Sequence, residues 1–262
     1  MDLSRFSLEG RTAIITGGSG GIGSACCTVF ARAGANIVVA SLPPESIPPV
    51  VQEVEKLGVG GLGIATDVTK ADQVDAMVQA VREKFGRIDL LVNVAGGSYS
   101  RNSFMPAFRK APLLEISEHD FMNAYEVNLK SAFLCARAVV PLMKAQGRGA
   151  IINIGSISGR GTKREPANMA AYGSAKAAVM NLTFHMAHQW GPEVRVNAIA
   201  PGIIDTPRPE TPERHASMPA AAKNIGVGRV GTADDVAGVA LFLASDASAF
   251  VNGSVIDVNG GE

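Results

Sequence analysis

The sequence predicts a single α/β domain, a doubly wound parallel β-sheet with helices on both faces. Two observations predict it: short β-branched runs recur from end to end, and helical patterns lie between them. The runs are Thr12–Thr16, Asn36–Ala40, Gly63–Thr66, Asp89–Asn93, Ala150–Ile154, Val194–Ile199 and Ser254–Val258. They are apolar on consecutive residues rather than alternating, which fits strands buried on both faces. In the helical stretch after the third run, Val74, Met77, Val78, Val81 and Phe85 share one face. No internal repeat or linker interrupts the pattern, so residues 1–262 read as one domain.

Composition excludes several function classes. Hydrophobic residues make up 47% of the chain, ample for one core, and 24 basic residues balance 24 acidic ones. That balance gives no reason to expect nucleic acid or an anionic membrane as partner. No apolar run approaches the ~20 residues of a membrane helix. The stretch from Met1 to Gly10 is charged and lacks an apolar core, so no signal peptide is expected. Cys26, Cys27 and Cys135 form no disulfide or zinc pattern and read as buried thiols of a reduced, cytoplasmic protein. His119, His185, His188 and His215 are scattered, and no carboxylate completes a metal set around them.

The first strand runs into Thr16-Gly17-Gly18-Ser19-Gly20-Gly21-Ile22-Gly23, where a helix begins. A pyrophosphate site needs such glycines: the turn is tight, the backbone must come close, and the helix must pack on the strand. The helix N-terminus then offers free N–H groups and a positive dipole. The run fits two registers, Gly18-x-Gly20-x-x-Gly23 and Gly17-x-x-x-Gly21-x-Gly23. Three loops leave the same sheet edge: Gly96–Pro112, Ser156–Asn168 and Pro201–Pro219, the last with five prolines among nineteen residues. Ligands of open parallel sheets bind at that edge.

Other motifs favour the second register. Asn93-Val94-Ala95-Gly96, Asn128, Ser156, Tyr172-x-x-x-Lys176, Pro201-Gly202, Thr206, Gly228-Arg229, Asp235 and Asn259-Gly260-Gly261 occur in order. Along nearly its whole length the chain resembles the classical short-chain dehydrogenase/reductase family, with Val94 departing from the family's Asn-Asn-Ala-Gly. The resemblance implies a Rossmann domain that oxidises a secondary alcohol or reduces a ketone with NADP(H) or NAD(H). It places Gly17, Ser19, Gly20, Gly21, Ile22 and Gly23 at the pyrophosphate and Asp67 with Val68 at the adenine. Asn93, Ala95 and Gly96 fall beside the ribose. Pro201, Gly202, Ile203 and Thr206 fall at the nicotinamide, where Ile203 and Thr206 hold its carboxamide.

Cofactor choice turns on the end of the second strand. NAD users carry an acid there for the ribose 2′-OH; here stand Ser41, Leu42 and Pro43, with no acid until Glu45. The missing acid favours NADP(H). Gly20 and Leu42 occupy places where the family often puts Arg or Lys, so NAD(H) stays open.

Tyr172 and Lys176 are four apart on one helix face. A phenol titrates near ~10, and a neighbouring ammonium lowers that value toward operating pH. Tyr172 is therefore the expected acid/base, with Ser156 holding the substrate oxygen and Lys176 stabilising the phenolate. The resemblance adds Asn128 as support for a proton path from Lys176 to solvent.

Around the substrate, the loops at 97–112 and 159–168 look long, and the Ser156-to-Tyr172 spacing of 16 is wide. Phe104, Met105 and Phe108 could wall an apolar pocket, and Tyr99 could face it. Arg101, Arg109, Lys110, Arg160, Lys163 and Arg164 could attract an anion, although solvated loop charges are the favoured reading. The segment 203–225, with Pro207–Pro219 and Met218, reads as a substrate lid. The resemblance also implies a homotetramer assembled through helices at Glu115–Ala145 and Ala171–Trp190. Two alternatives stay in view: a cofactor sensor or scaffold without turnover, and an epimerase or dehydratase. The latter relatives are expected to carry a C-terminal substrate domain for which 262 residues leave no room.

Overall fold

The computed structural model describes residues 2–98, 111–161, 167–206 and 218–262. Among these residues seven parallel strands form the main sheet in the order β3-β2-β1-β4-β5-β6-β9. They are β1 (Thr12–Thr16), β2 (Asn36–Ser41), β3 (Gly61–Ala65), β4 (Leu90–Asn93), β5 (Gly149–Ile154), β6 (Val194–Pro201) and β9 (Val255–Val258). A separate parallel pair, β7 (Ile204–Asp205) and β8 (Gly231–Thr232), was not expected from the Pro-rich stretch. The helices are α1 (Gly21–Arg32), α2 (Ile47–Glu55), α3 (Ala71–Phe85), α4 (Glu118–Tyr125), α5 (Ser131–Ala145), α6 (Ala170–Trp190) and α7 (Ala233–Ala244).

Consecutive apolar residues make this fold because alternate side chains enter different cores. Ala13 and Ile15 of β1 pack with α1, α2 and α7, whereas Ile14 packs with α3, α5 and α6. The expected α3 face is buried at Val74, Met77, Val78 and Val81. The strand forecast needs one correction: β3 starts and ends earlier than Gly63–Thr66, and its burial alternates because it is an edge strand. The forecast helix at Glu115–Ala145 also divides. It starts at Glu118 behind an N-cap, Ser117, whose side chain accepts from the Asp120 N–H, and a π turn at Glu126–Lys130 separates α4 from α5.

Strand order reverses between β1 and β4, which opens a crevice at the carboxyl edge of the sheet. The opposite edge is closed by charge pairing. Asp89, 2% exposed, accepts from the Thr12 N–H at 2.9 Å and from Arg87 at 2.6 and 2.7 Å. Asp89→Ala would leave the buried Thr12 N–H without its partner. Urea denaturation should register a loss of about 2–4 kcal/mol with the far-ultraviolet spectrum unchanged.

Candidate active site

A cavity of about 640 Å³ lies along the carboxyl edge of the sheet. Its floor is the glycine turn between β1 and α1. Gly17 has φ +63°, and a Cβ on Gly23 would collide with the Gly17 carbonyl, so only bare backbone closes this turn. The first turn of α1 carries no acidic residue. The helix dipole there is open to an anion.

One end of the cavity is built from the tips of β2 and β3. Ser41 Oγ lies 2.6 Å from Ser19 Oγ, and Ser46 Oγ lies 2.7 Å from the same atom. Ser46 carried no signal in the sequence; its place comes from the short helical turn that precedes α2. Asp67 Oδ1 accepts from both the N–H and the hydroxyl of Thr69, which fixes the turn after β3.

The other end gathers residues from β5, α6 and the turn after β4. Ser156, at the end of β5, accepts from the Ser158 N–H at 3.1 Å. Gly173 lets α6 approach the Ser158 backbone, since a Cβ there would come within 2.9 Å of its carbonyl. That contact brings Tyr172 and Lys176 beside Ser156. The Lys176 Nζ donates to the Ile154 carbonyl at 2.7 Å and stands 5.9 Å from the centre of the Tyr172 ring.

Asn128 sits in the π turn, a distortion frequent at functional sites. Its side chain donates to the Gly97 and Ala124 carbonyls at 3.0 and 2.9 Å and accepts from the Gly97 N–H at 3.0 Å. It thereby pins the chain just past Gly96 without lining the cavity itself.

Gly17, Ser19, Gly20, Gly21, Ile22, Gly23, Ser41, Leu42, Asp67, Val68, Ala95, Gly96, Ser156, Tyr172, Lys176, Pro201, Gly202, Ile203 and Thr206 all line the cavity. Asn93 does not. It is buried, and its Nδ2 donates to Asn153 Oδ1 at 2.8 Å and to the Ala132 carbonyl, so it braces β4 against β5 and α5. Arg160, for which a solvated loop charge is the favoured reading over an anion site, pairs with Asp257 at 3.0 Å, both side chains being exposed. Tyr99, Arg101, Phe104, Met105, Phe108, Arg109, Lys110, Lys163, Arg164 and His215 lie outside the described residues, as does the centre of the expected lid at 207–217. Met169 and Glu262 line the cavity without having been singled out in the sequence.

The residues present fit a bound dinucleotide. The glycine cradle is bare where a pyrophosphate would rest. At the far end Thr206 Oγ1 is buried and has no hydrogen-bond partner among the described residues, as a site awaiting a polar ligand group requires. No cysteine competes: burial pushes the Cys26 and Cys135 thiols up to about 12 and raises Cys27 as well. Among the described residues no helix is long and apolar enough to cross a membrane.

A nucleotide-sized crevice that ends at a tyrosine and a buried lysine is the arrangement of a dinucleotide-dependent oxidoreductase. A family model described as enoyl-(acyl carrier protein) reductase matches residues 17–262. The 3-oxoacyl-(acyl-carrier-protein) reductase FabG of Thermotoga maritima is 38% identical over 256 residues, 97% of this chain and 98% of that protein. The 7alpha-hydroxysteroid dehydrogenase of Escherichia coli K12 is 35% identical over 97% of this chain and 94% of its own. A solved 7alpha-hydroxysteroid dehydrogenase, complexed with NADH and 7-oxo glycochenodeoxycholic acid, superimposes with a TM-score of 0.88 at 32% identity. The match covers 100% of this chain and 97% of that one. The chain belongs to the classical short-chain dehydrogenase/reductase family and is an NAD(P)-dependent oxidoreductase acting on alcohol and carbonyl groups. Relatives named as dehydrogenases and reductases give the sensor or scaffold reading no support.

Burial pushes the Lys176 amine down from 10.5 to about 8. The folded value lies below the unfolded one, so the native state bears the full cost of the buried ammonium below about pH 8 and sheds it as pH rises toward 10.5. Wild type should therefore gain stability relative to Lys176→Met as pH rises from about 7 to about 10, by an amount on the order of 3 kcal/mol. Urea denaturation at the two pH values checks this; a difference independent of pH contradicts it.

Proposed function

We propose that this cavity holds NADP(H) or NAD(H) and that Tyr172 is the acid/base for a secondary alcohol/ketone pair. The observation that carries the reading is the position of Lys176, buried behind Tyr172 and beside Ser156 at the end of the cavity away from Ser41. When bound, the dinucleotide supplies the hydride donor or acceptor. Gly17–Gly23 would hold its pyrophosphate, Asp67 and Val68 its adenine, Ala95 and Gly96 a ribose, and Pro201, Gly202, Ile203 and Thr206 its nicotinamide.

The chain's own residues handle the proton. Ser156 donates a hydrogen bond to the substrate oxygen and keeps it near Tyr172. In reduction the Tyr172 phenol gives its proton to that oxygen; in oxidation the phenolate takes it back. Lys176 stabilises the phenolate, and Asn128, through its hold on Gly97, supports the path by which the proton is replaced. Tyr172→Phe should lower turnover by about 10²–10⁴-fold, with binding of the reduced dinucleotide unchanged by fluorescence titration. Equal activity in the variant would remove Tyr172 from its role.

NADP(H) is the favoured cofactor. Ser41 presents a hydroxyl where an acid would repel a 2′-phosphate, and Ser19, held from behind by Ser46, adds a second one beside it. NAD(H) is the second reading, because the described wall carries no Arg or Lys at that end. Steady-state kinetics with NADPH and NADH over a carbonyl panel should favour NADPH in wild type. Ser41→Asp should reverse that preference, and NADH preference in wild type would overturn the first reading. A homotetramer packed through α4, α5 and α6 is the proposed assembly, supported by exposed Met122, Phe133 and Phe184 on those helices. Three buried thiols support the cytoplasm as its compartment.

A further inference from the structure

Three described residues lining the cavity carry formal charge: Asp67, Lys176 and Glu262. Asp67 stands by Ser41 and is engaged by Thr69. Lys176 serves the catalytic end. Glu262 has no part in the chemistry above. A tight turn carries it there: the Gly261 N–H donates to Asn259 Oδ1 at 3.0 Å, and Asn259 Nδ2 donates to a main-chain oxygen of Glu262 at 3.2 Å. The half-buried side chain then faces the segment after β6. Its Oε2 accepts from the Ile203 N–H at 3.4 Å, and a Cβ on Gly202 would stand 2.9 Å from the same oxygen.

We infer that Glu262 selects the oxidation state of the bound cofactor, its carboxylate favouring the cationic oxidised nicotinamide over the neutral reduced one. The inference rests on the reading that Ile203 and Thr206 receive the carboxamide. Oxidised nicotinamide carries a positive charge that the reduced ring lacks. Lys176, at the same end of the cavity, repels that charge when protonated. Glu262 supplies the one acidic side chain among the described lining residues at that end, and it opposes the repulsion. The long hydrogen bond from Ile203 competes with a carboxamide in both oxidation states. It therefore alters both affinities alike and leaves their ratio to the charge.

The test is the dissociation constant of the oxidised and of the reduced dinucleotide for wild type, Glu262→Gln and Glu262→Lys. Calorimetry serves for the oxidised form and fluorescence for the reduced. At low salt the ratio of oxidised to reduced Kd should rise about threefold to tenfold in Glu262→Gln and further in Glu262→Lys. Damage to the turn would weaken both forms together and leave the ratio unmoved. A ratio constant across the three proteins overturns the inference, whatever each affinity does. Thr206→Val separates this from failure of the underlying reading. If it weakens both forms while the Glu262 ratio stays constant, the selector alone fails. If it affects neither form, the carboxamide reading fails and the inference falls with it.

Discussion

The amine of Lys176 is held out of water, 3% exposed and 2.7 Å from the Ile154 carbonyl, and the chemistry of the site depends on keeping it there. A buried ammonium is costly unless a hydrogen bond and a function justify it. Three elements hold it in place. The end of β5 supplies the acceptor, Gly173 lets α6 come close to Ser158, and Asn128 ties Gly97 to the π turn on the adjoining side. Each is local, yet together they set the spacing of Ser156, Tyr172 and Lys176. The braced edge at Asp89 and the layered cores keep the strand tips in register.

Charge is distributed along the cavity in a functional order. The middle offers a helix N-terminus with no acid in its first turn, which suits an anion. The tip of β2 offers the Ser41 hydroxyl in place of an acid, with Asp67 held by Thr69 after β3. The catalytic end brings a lysine and a glutamate into one wall from distant parts of the chain.

Much of this was legible in the sequence because the central strands are buried on both faces. The consecutive apolar residues of β1, β4 and β5 leave little room for another assignment. The glycine turn was legible for a similar reason, since only bare backbone closes it. Elsewhere the local signal fails for physical causes. β3 begins with Gly61 and is an edge strand, so its glycines blur where the run starts and the forecast bounds slip. The π turn at Glu126–Lys130 adds one residue to a helical turn and carries no glycine or proline to mark it. Asn93 sits in a recognisable motif, but its side chain is spent on Asn153 and Ala132. The positions of Arg160 against Asp257 and of Glu262 against Ile203 are long-range contacts with no local signature.

The most direct test of the account is a crystal structure with oxidised dinucleotide bound. The account predicts the pyrophosphate over Gly17–Gly23, the adenosine toward Ser41 and Asp67, and the nicotinamide beside Thr206 with its ring facing Tyr172. A dinucleotide bound in the reverse direction, or outside this cavity, would contradict it.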